Sequence, residues 1–431
     1  TIAHCSDQHR RTVREGLSGL PVGEVHPLHR QGCQPVLEGH QARVVAIAAG
    51  PGGQEQAART RTADRWGGHR RRVAPTGVRV TRPERVHGRT DLYPVAMDST
   101  SPVDEAARHE ALVASMTGGM APSVPDFAGS DRFHPNARPK GEFRDSLRST
   151  PNLNNAFTVA GAILFPVAVV AAAVAIANPV AWVVAFLLMP VAQNRLFILH
   201  HEAAHRVLFS NRRVNDLVGI RLIGWLTFGT GGHGYRIGHI RHHRDEFGPG
   251  EPDFILYSQY PITRTSMRRK HRRDLTGVSA FRIVRPRFQQ LGEARHRRLT
   301  YMFLSGQAIV FAAFWSAGQP WLYLGLWVLP WATLYQVLNR LRAIAEHAGM
   351  TRSEDRRRTT HHVRQSLVAR LVLTPIGVGY HLAHHADMTV PYRNLPRLHA
   401  ALVEDGYVGD LEWPTYRALW RALRSAEPVA A

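Results

Sequence analysis

Ala156 to Ala177 runs for 22 residues without a charged side chain. At the helical rise that is about 33 Å, enough to cross the hydrocarbon of a bilayer. Asn178-Pro179 then makes a tight break, and Val180 to Leu199 runs back through a second apolar stretch. The pattern recurs downstream, where Leu299 to Ala317 and Trp321 to Leu338 flank the short link Gly318-Gln319-Pro320. These segments predict an all-α polytopic membrane protein with four transmembrane helices, about 156–177, 180–199, 299–317 and 321–338, in two hairpins under a cytosolic helical cap.

Charge orients the hairpins. Between Arg148 and Arg195, and again between Arg298 and Arg340, there is no Lys or Arg, whereas the flanks are dense in Arg, as at Arg268, Arg269, Arg272 and Arg273. By the positive-inside rule both hairpin tips lie outside, with both termini and the cap in the cytoplasm. Two shorter apolar stretches that carry charges, Val214 to Phe228 and Leu367 to Val378, read as helices lying on the interface. Trp182, Trp321, Tyr323 and Tyr335 sit near span ends, where aromatic side chains belt a membrane. The net charge of +21 is thereby explained by cytosolic flanks, with no need of a nucleic-acid partner. The chain has 52 Arg but only Lys140 and Lys270, a bias of GC-rich bacterial genomes, for which the membrane would be the inner one.

Three short histidine-rich segments end or follow these apolar stretches: HHEAAHR (His200–Arg206), HIRHH (His239, His242, His243) and HLAHH (His381, His384, His385). Residues three and four apart share a helix face, so His201 and His205 point one way, as does each HxxHH trio. With 25 His in 431 residues, a random HxxHH is expected roughly 0.08 times per chain, so two copies beside an HxxxH mark a metal site. Neutral imidazole suits iron, zinc, copper and nickel alike, and spacing leaves the element open. His200 offers an alternative first ligand in an HxxxxH frame with His205, although the i, i+4 frame favours His201. His347, in RAIAEH at the end of the fourth apolar stretch, stands where an unpaired imidazole is costly and is a candidate ninth ligand. His271, His296, His361 and His362 lie in basic stretches and read as solvated. Ligating imidazoles usually donate their second N–H to a carboxylate, which makes Glu202, Asp253, Glu346 and Asp387 candidates for that role or for ion pairs with nearby Arg.

Residues 1–96 contain no Lys and no Phe and show no sustained helical or strand period. They read as disordered, and as an upstream extension that the functional protein lacks, since the first Met is Met97. Residues 97–140 read as an N-terminal cytosolic segment opening with a capped helix, 141–410 as the membrane domain and 411–431 as a C-terminal tail. Both cysteines, Cys5 and Cys33, fall in the first segment. The remainder has no disulfide, cysteine-ligated zinc, iron–sulfur cluster or thiol nucleophile.

HEAAH, YRIGHIRHH, RAIAEH and YHLAHHADMTVPYRNLPRLHAAL, in this order and with paired spans between them, resemble the membrane fatty acid desaturase family over about residues 140–410. The third box is the most specific part, because VPYRNLPRLH trails the histidines. The resemblance implies a non-haem diiron centre that activates O₂ and removes hydrogens from an unactivated fatty acyl chain. By position its ligands are His201, His205, His239, His242, His243, His347, His381, His384 and His385. Where the family often carries Asn four residues before the residue matching His347, this chain has Ala343.

An aliphatic chain offers no polar handle at the reacting carbon, so regioselectivity requires a hydrophobic tunnel between the spans. Trp331, Leu334 and Tyr335 are candidates to line it. No dinucleotide fingerprint, P-loop or CxxC is present, so the two irons would take electrons from an external ferredoxin, rubredoxin or cytochrome-type donor, for which the Arg-rich cytosolic face is a dock. Three other readings compete: hydroxylation or ketolation of a lipid or carotenoid at the same centre, a membrane zinc protease using HEAAH with Glu202 as base, and a non-catalytic metal-binding protein.

Overall fold

A computed structural model describes residues 118–425 apart from 229–232, 249–250 and 293, together with the isolated positions 107 and 110. The segment 1–96, both cysteines, the expected helix after Met97 and the end of the C-terminal tail lie outside the described residues. The described part is helical, with one two-stranded parallel ladder of β1 (His362–Val363) and β2 (Glu412–Trp413).

A short helix α1 (Gly141–Leu147) leads to two long antiparallel helices, α2 (Asn152–Ile176) and α3 (Pro179–Ala204). Ala177 ends α2 in the left-handed conformation at φ 50°, and the Asn178 carboxamide accepts from the Ala181 N–H at 2.9 Å. Pro179 occupies the first helical position, where its missing N–H costs nothing. The inner face of α2 repeats at helical spacing through Asn155, Val159, Ala162, Pro166, Val169 and Ala173, all buried. Its outer face, with Phe157, Leu164 and Val167, is exposed, as are Val183 and Leu187 of α3. Large apolar side chains bare on the outside of a helix pair suit hydrocarbon, not water.

Helices α4 (His233–Arg244), α5 (Arg264–Leu275) and α6 (Val278–Gln289) follow, and then α7 (Ala294–Ser316). Three described helices are long and apolar enough to cross a membrane: α2, α3 and the Arg297–Ser316 part of α7. The fourth expected segment is not a regular α-helix. It is a helical run from Pro320 that includes wide π turns at Tyr323–Val328 and Trp331–Tyr335 before α8 (Gln336–His347). Pro330 sits between the two π stretches, where it removes one backbone donor and crowds the preceding turn. The residues expected to lie on the interface form helical runs with π turns at Asp216–Ile223 and Ala369–Leu373. Leu217, Leu222, Leu367 and Leu371 on them are exposed.

The C-terminal part contributes α9 (His381–Ala386), α10 (Leu395–Glu404) and α11 (Tyr416–Ala422). The segment read as a tail folds back over the cap: Tyr416 and Leu419 are buried, and the Trp420 indole N–H donates to the Leu341 carbonyl at 2.9 Å. One core cluster lies between the apolar helices and the other two within the cap. The histidine boxes sit where these cores meet.

Candidate metal centre

His201 is in the last turn of α3, and His205 is its C-cap. Arg206 follows in the left-handed region at φ 63°, so the helix stops at the box. Its last carbonyls have partners: Arg236 donates from Nε to the Ala204 carbonyl at 3.1 Å and from NH2 to Ala203 at 2.9 Å. Asn215 adds a bond to the Ala203 carbonyl at 2.9 Å. Such capping satisfies groups that a buried helix end would leave orphaned. Gly219 brings the neighbouring run against this turn, since a Cβ there would lie 2.1 Å from the Ala203 Cβ.

His239, His242 and His243 share one face of α4, and His381, His384 and His385 one face of α9. The segment after α9 locks it in place. The Tyr392 N–H donates to Glu202 Oε2 at 3.2 Å, Arg393 Nε to Asn155 Oδ1 at 2.8 Å, and Asn394 to the Leu147 carbonyl at 2.8 Å. VPYRN therefore ties the third box to the first box and to the start of α2.

These elements gather nine imidazoles into two groups. Ring nitrogens of His201, His205, His239, His243 and His384 lie within 4.8 Å of one another, as do those of His242, His347 and His385. His381 joins the second group, its Nε2 lying 3.0 Å from that of His347. The groups touch where the His243 and His385 rings approach to 4.2 Å. His200, the alternative first ligand, is turned away: its Nδ1 donates to the Gly219 carbonyl at 2.9 Å, and its ring packs on Tyr235.

The nitrogens fit a metal better than they fit one another. His243 Nε2 lies 3.2 Å from His239 Nε2 and 3.1 Å from His384 Nε2. A neutral imidazole offers one N–H and one lone pair, each in the ring plane, so His243 Nε2 can align well with only one of these two neighbours, whereas a cation among the three nitrogens suits both. The Nε2 atoms of His205 and His385 are buried without a hydrogen-bond partner. Burial, reinforced by the neighbouring imidazoles, holds His205, His239, His243 and His381 well below the usual histidine range and His384 at about 3. All are neutral donors at physiological pH, as metal binding requires.

Carboxylates orient part of the set. Glu202 Oε1 is 3.3 Å from His201 Nδ1, and Glu346 lies 3.8 Å from His381 Nδ1 and 3.4 Å from Arg342. Asp253 lies on the wall of the adjoining cavity. Asp387 is taken up by Arg144 at 3.0 Å and by Thr389. Two acids outside the candidates read from sequence make closer contacts. Glu246 Oε1 is 2.9 Å from His347 Nδ1 and 3.4 Å from His385 Nδ1, and Glu251 hydrogen-bonds His242 Nδ1 and the Tyr257 hydroxyl. Burial would raise Glu246, yet His385 and His347 hold it well below the usual carboxylate range. Burial is the largest single influence and lowers His242, but the bond to Glu251 and the charges of Glu251, Asp253 and Glu246 together outweigh it and raise the imidazole to about 9. Both acids follow the second box within nine residues of His242, as Asp253 nearly does, so proximity in sequence was their available signal.

Two histidines expected in solvent are instead buried. His361 Nε2 donates to the Ala348 carbonyl at 2.7 Å. His362 lies on β1, 3.4 Å from Glu412 and stacked on His399. The β1–β2 ladder covers this stretch, which basic composition alone did not convey. His271 is half-buried, and the His296 side chain lies outside the described residues.

A cavity of about 120 Å³ beside the imidazoles is lined by His201, His239, His242, His347 and His381 together with Phe197, Tyr235 and Asp253. Asn339 and Ala343, two turns and one turn before His347, share its wall. A second cavity, of about 220 Å³, is walled by Phe228, Trp327, Trp331 and Tyr335. Of the three tunnel candidates, Trp331 and Tyr335 line it and Leu334 does not.

Comparison with known proteins agrees with this site. The family model described as Fatty acid desaturase matches residues 177–417, which include all nine imidazoles. The chain belongs to the fatty acid desaturase family. A curated relative, dihydrorhizobitoxine desaturase of Bradyrhizobium elkanii, is 26% identical over 253 residues, covering 52% of this chain and 68% of its own length. Membership and the apolar helices make this desaturase-type oxidoreductase a membrane protein, with histidine clusters that fit a metal centre.

Proposed function

We propose that the chain is an O₂-dependent desaturase that introduces a double bond into a fatty acyl chain, an acyl lipid or acyl thioester, at a diiron centre. The observation that carries this reading is the convergence of nine imidazoles, eight buried and His205 half-buried, into groups of five and four. A zinc protease would need three protein ligands and an open position. Here His201 and His205 share their group with three further imidazoles, and Glu202 is engaged by the Tyr392 amide.

His201, His205, His239, His243 and His384 would hold one iron, and His242, His347, His381 and His385 the other. When bound, the irons supply the reduction of O₂ and the oxidising power that an unactivated C–H bond demands. Two hydrogens leave adjacent carbons, and with two electrons and two protons from outside they reduce O₂ to two waters. The chain's own residues do the rest. Glu251, bonded to His242 Nδ1, and the Thr359 carbonyl with Glu246, both facing His347 Nδ1, would hold those two rings with Nε2 inward, while Glu246 faces His385 Nδ1 at 3.4 Å. The aromatic wall of Trp327, Trp331 and Tyr335 excludes water and positions the substrate.

The helical run Pro320–His347 is the fourth span in this reading, and the histidine cap faces the cytoplasm of a bacterial inner membrane. Electrons come from an external ferredoxin, rubredoxin or cytochrome-type donor. Exposed Arg264, Arg268, Arg272, Arg421 and Arg424 line a groove of about 640 Å³, which suits an acidic protein.

The test is lipid profiling by gas chromatography of cells expressing wild type or His384→Ala, with and without oxygen. New double bonds only in aerated wild-type cells are expected. Oxygenated lipid would instead identify a hydroxylase, and an unchanged profile would remove the acyl substrate.

A further inference from the structure

Arg287, on α6, lines the 220 Å³ cavity together with Phe228, Trp327 and Trp331. This cavity shares Phe197, Tyr235, Asp253 and Asn339 with the one at the imidazoles, so the two adjoin. The guanidinium lies 4.9 Å from the Phe303 ring centroid. Among the described residues it has neither an ion pair nor a side-chain hydrogen bond. Three other sheltered guanidiniums are paired: Arg236 with Asp216, Arg340 with Asp274, and Arg357 with Asp355. Arg287 is half-buried, and a charge withdrawn from water without a partner is costly. Burial alone lowers Arg287, to about 10, so it stays cationic at neutral pH.

A second group in the same wall is also incomplete. Gln193 donates from Nε2 to the Trp327 carbonyl at 2.8 Å, which fixes the orientation of its amide. Its Oε1 is then an acceptor, buried and without a partner. An aliphatic chain alone would satisfy neither group.

We propose that Arg287 binds an anionic group of the substrate, a carboxylate or phosphate, and thereby sets how far the chain reaches toward the metal centre. The guanidinium fork matches either oxyanion with two parallel hydrogen bonds. The inference rests on the desaturase reading of the adjoining centre.

The test is equilibrium binding of decanoate, decyl phosphate and methyl decanoate to the metal-loaded full chain in detergent, for wild type, Arg287→Gln and Arg287→Lys. Wild type is expected to prefer one or both anions over the ester. Arg287→Gln should lose about 10–100-fold for the anions with the ester unchanged, while Arg287→Lys retains part of the preference. The tighter of decanoate and decyl phosphate identifies the headgroup. Metal content checks that each variant is folded. Equal binding of all three ligands by wild type, or equal loss of all three in Arg287→Gln, would overturn the role of Arg287 and leave the desaturase reading standing. No binding of any of the three to wild type would overturn the assignment together with the acyl substrate.

Discussion

His242, His347 and His385 each present Nδ1 to a carboxylate, Glu251 or Glu246, whereas in the group of five only His201 has one within 4 Å among the described residues. The larger group is held by helix ends, by Arg236 and Asn215 on the α3 carbonyls, and by the number of its imidazoles. The smaller has fewer donors, but Glu246 makes two of them more basic and fixes their orientation. Two ways of building a histidine site thus stand side by side: one relies on ligand count, the other on the carboxylates behind the ligands.

The comparison breaks most visibly at Glu246. Glu246→Gln should weaken metal binding at the group of four by about 10–100-fold and lower the metal content of dialysed protein toward one ion per chain. Glu202→Gln, behind one ligand of five, should cost less, and equal losses in the two variants would erase the distinction. Metal titration with a chromogenic chelator reads both.

The fold was legible where the signal was local. Apolar runs marked α2 and α3, Asn178-Pro179 marked the turn between them, and HxxHH spacing marked the faces of α4 and α9. What escaped depends on tertiary contact. Glu246 is an ordinary acid in RHHRDEF until Thr359, Arg356 and two imidazoles surround it. His361 and His362 look solvated among arginines until β2 covers them. The π turns around Pro330 follow from one proline in an apolar run, whose length alone suggested a plain span. Spacing favoured His201 over His200 at this helix end, and the bond from His200 to the Gly219 carbonyl separates the two in the structure.

A smaller effect is expected at the scaffold of the group of five. Gly219→Ala puts a methyl group on Ala203 in the turn that carries His201 and His205, and overpacking of this kind costs about 1–3 kcal/mol. Thermal unfolding in detergent should show a lowered midpoint, with the metals of the group of four retained. Loss of both metals together would mean that the groups are not separately built.

The smallest effect concerns Asp216. Its bond to Arg236 holds it below the ordinary 3.8, at about 2. A depressed folded pKa contributes stability that is fully present above the unfolded value and is lost as pH falls through the folded one. The pair is partly exposed and therefore screened, so Asp216→Asn should lower the unfolding midpoint only slightly, by a constant amount above about pH 4. The difference from wild type should shrink as pH falls from about 4 to 2, where Asp216 is protonated in both states. A difference that is absent at neutral pH and appears only on acidification would contradict the sign.

The central claim, two metal sites built from nine histidines, is most directly tested by elemental analysis of iron-supplemented, detergent-purified protein beside His384→Ala and His347→Ala. Two irons per chain in wild type, with His384→Ala depleted first at the group of five and His347→Ala first at the group of four, is the predicted result. A single zinc per chain, unaffected by His347→Ala, would contradict it.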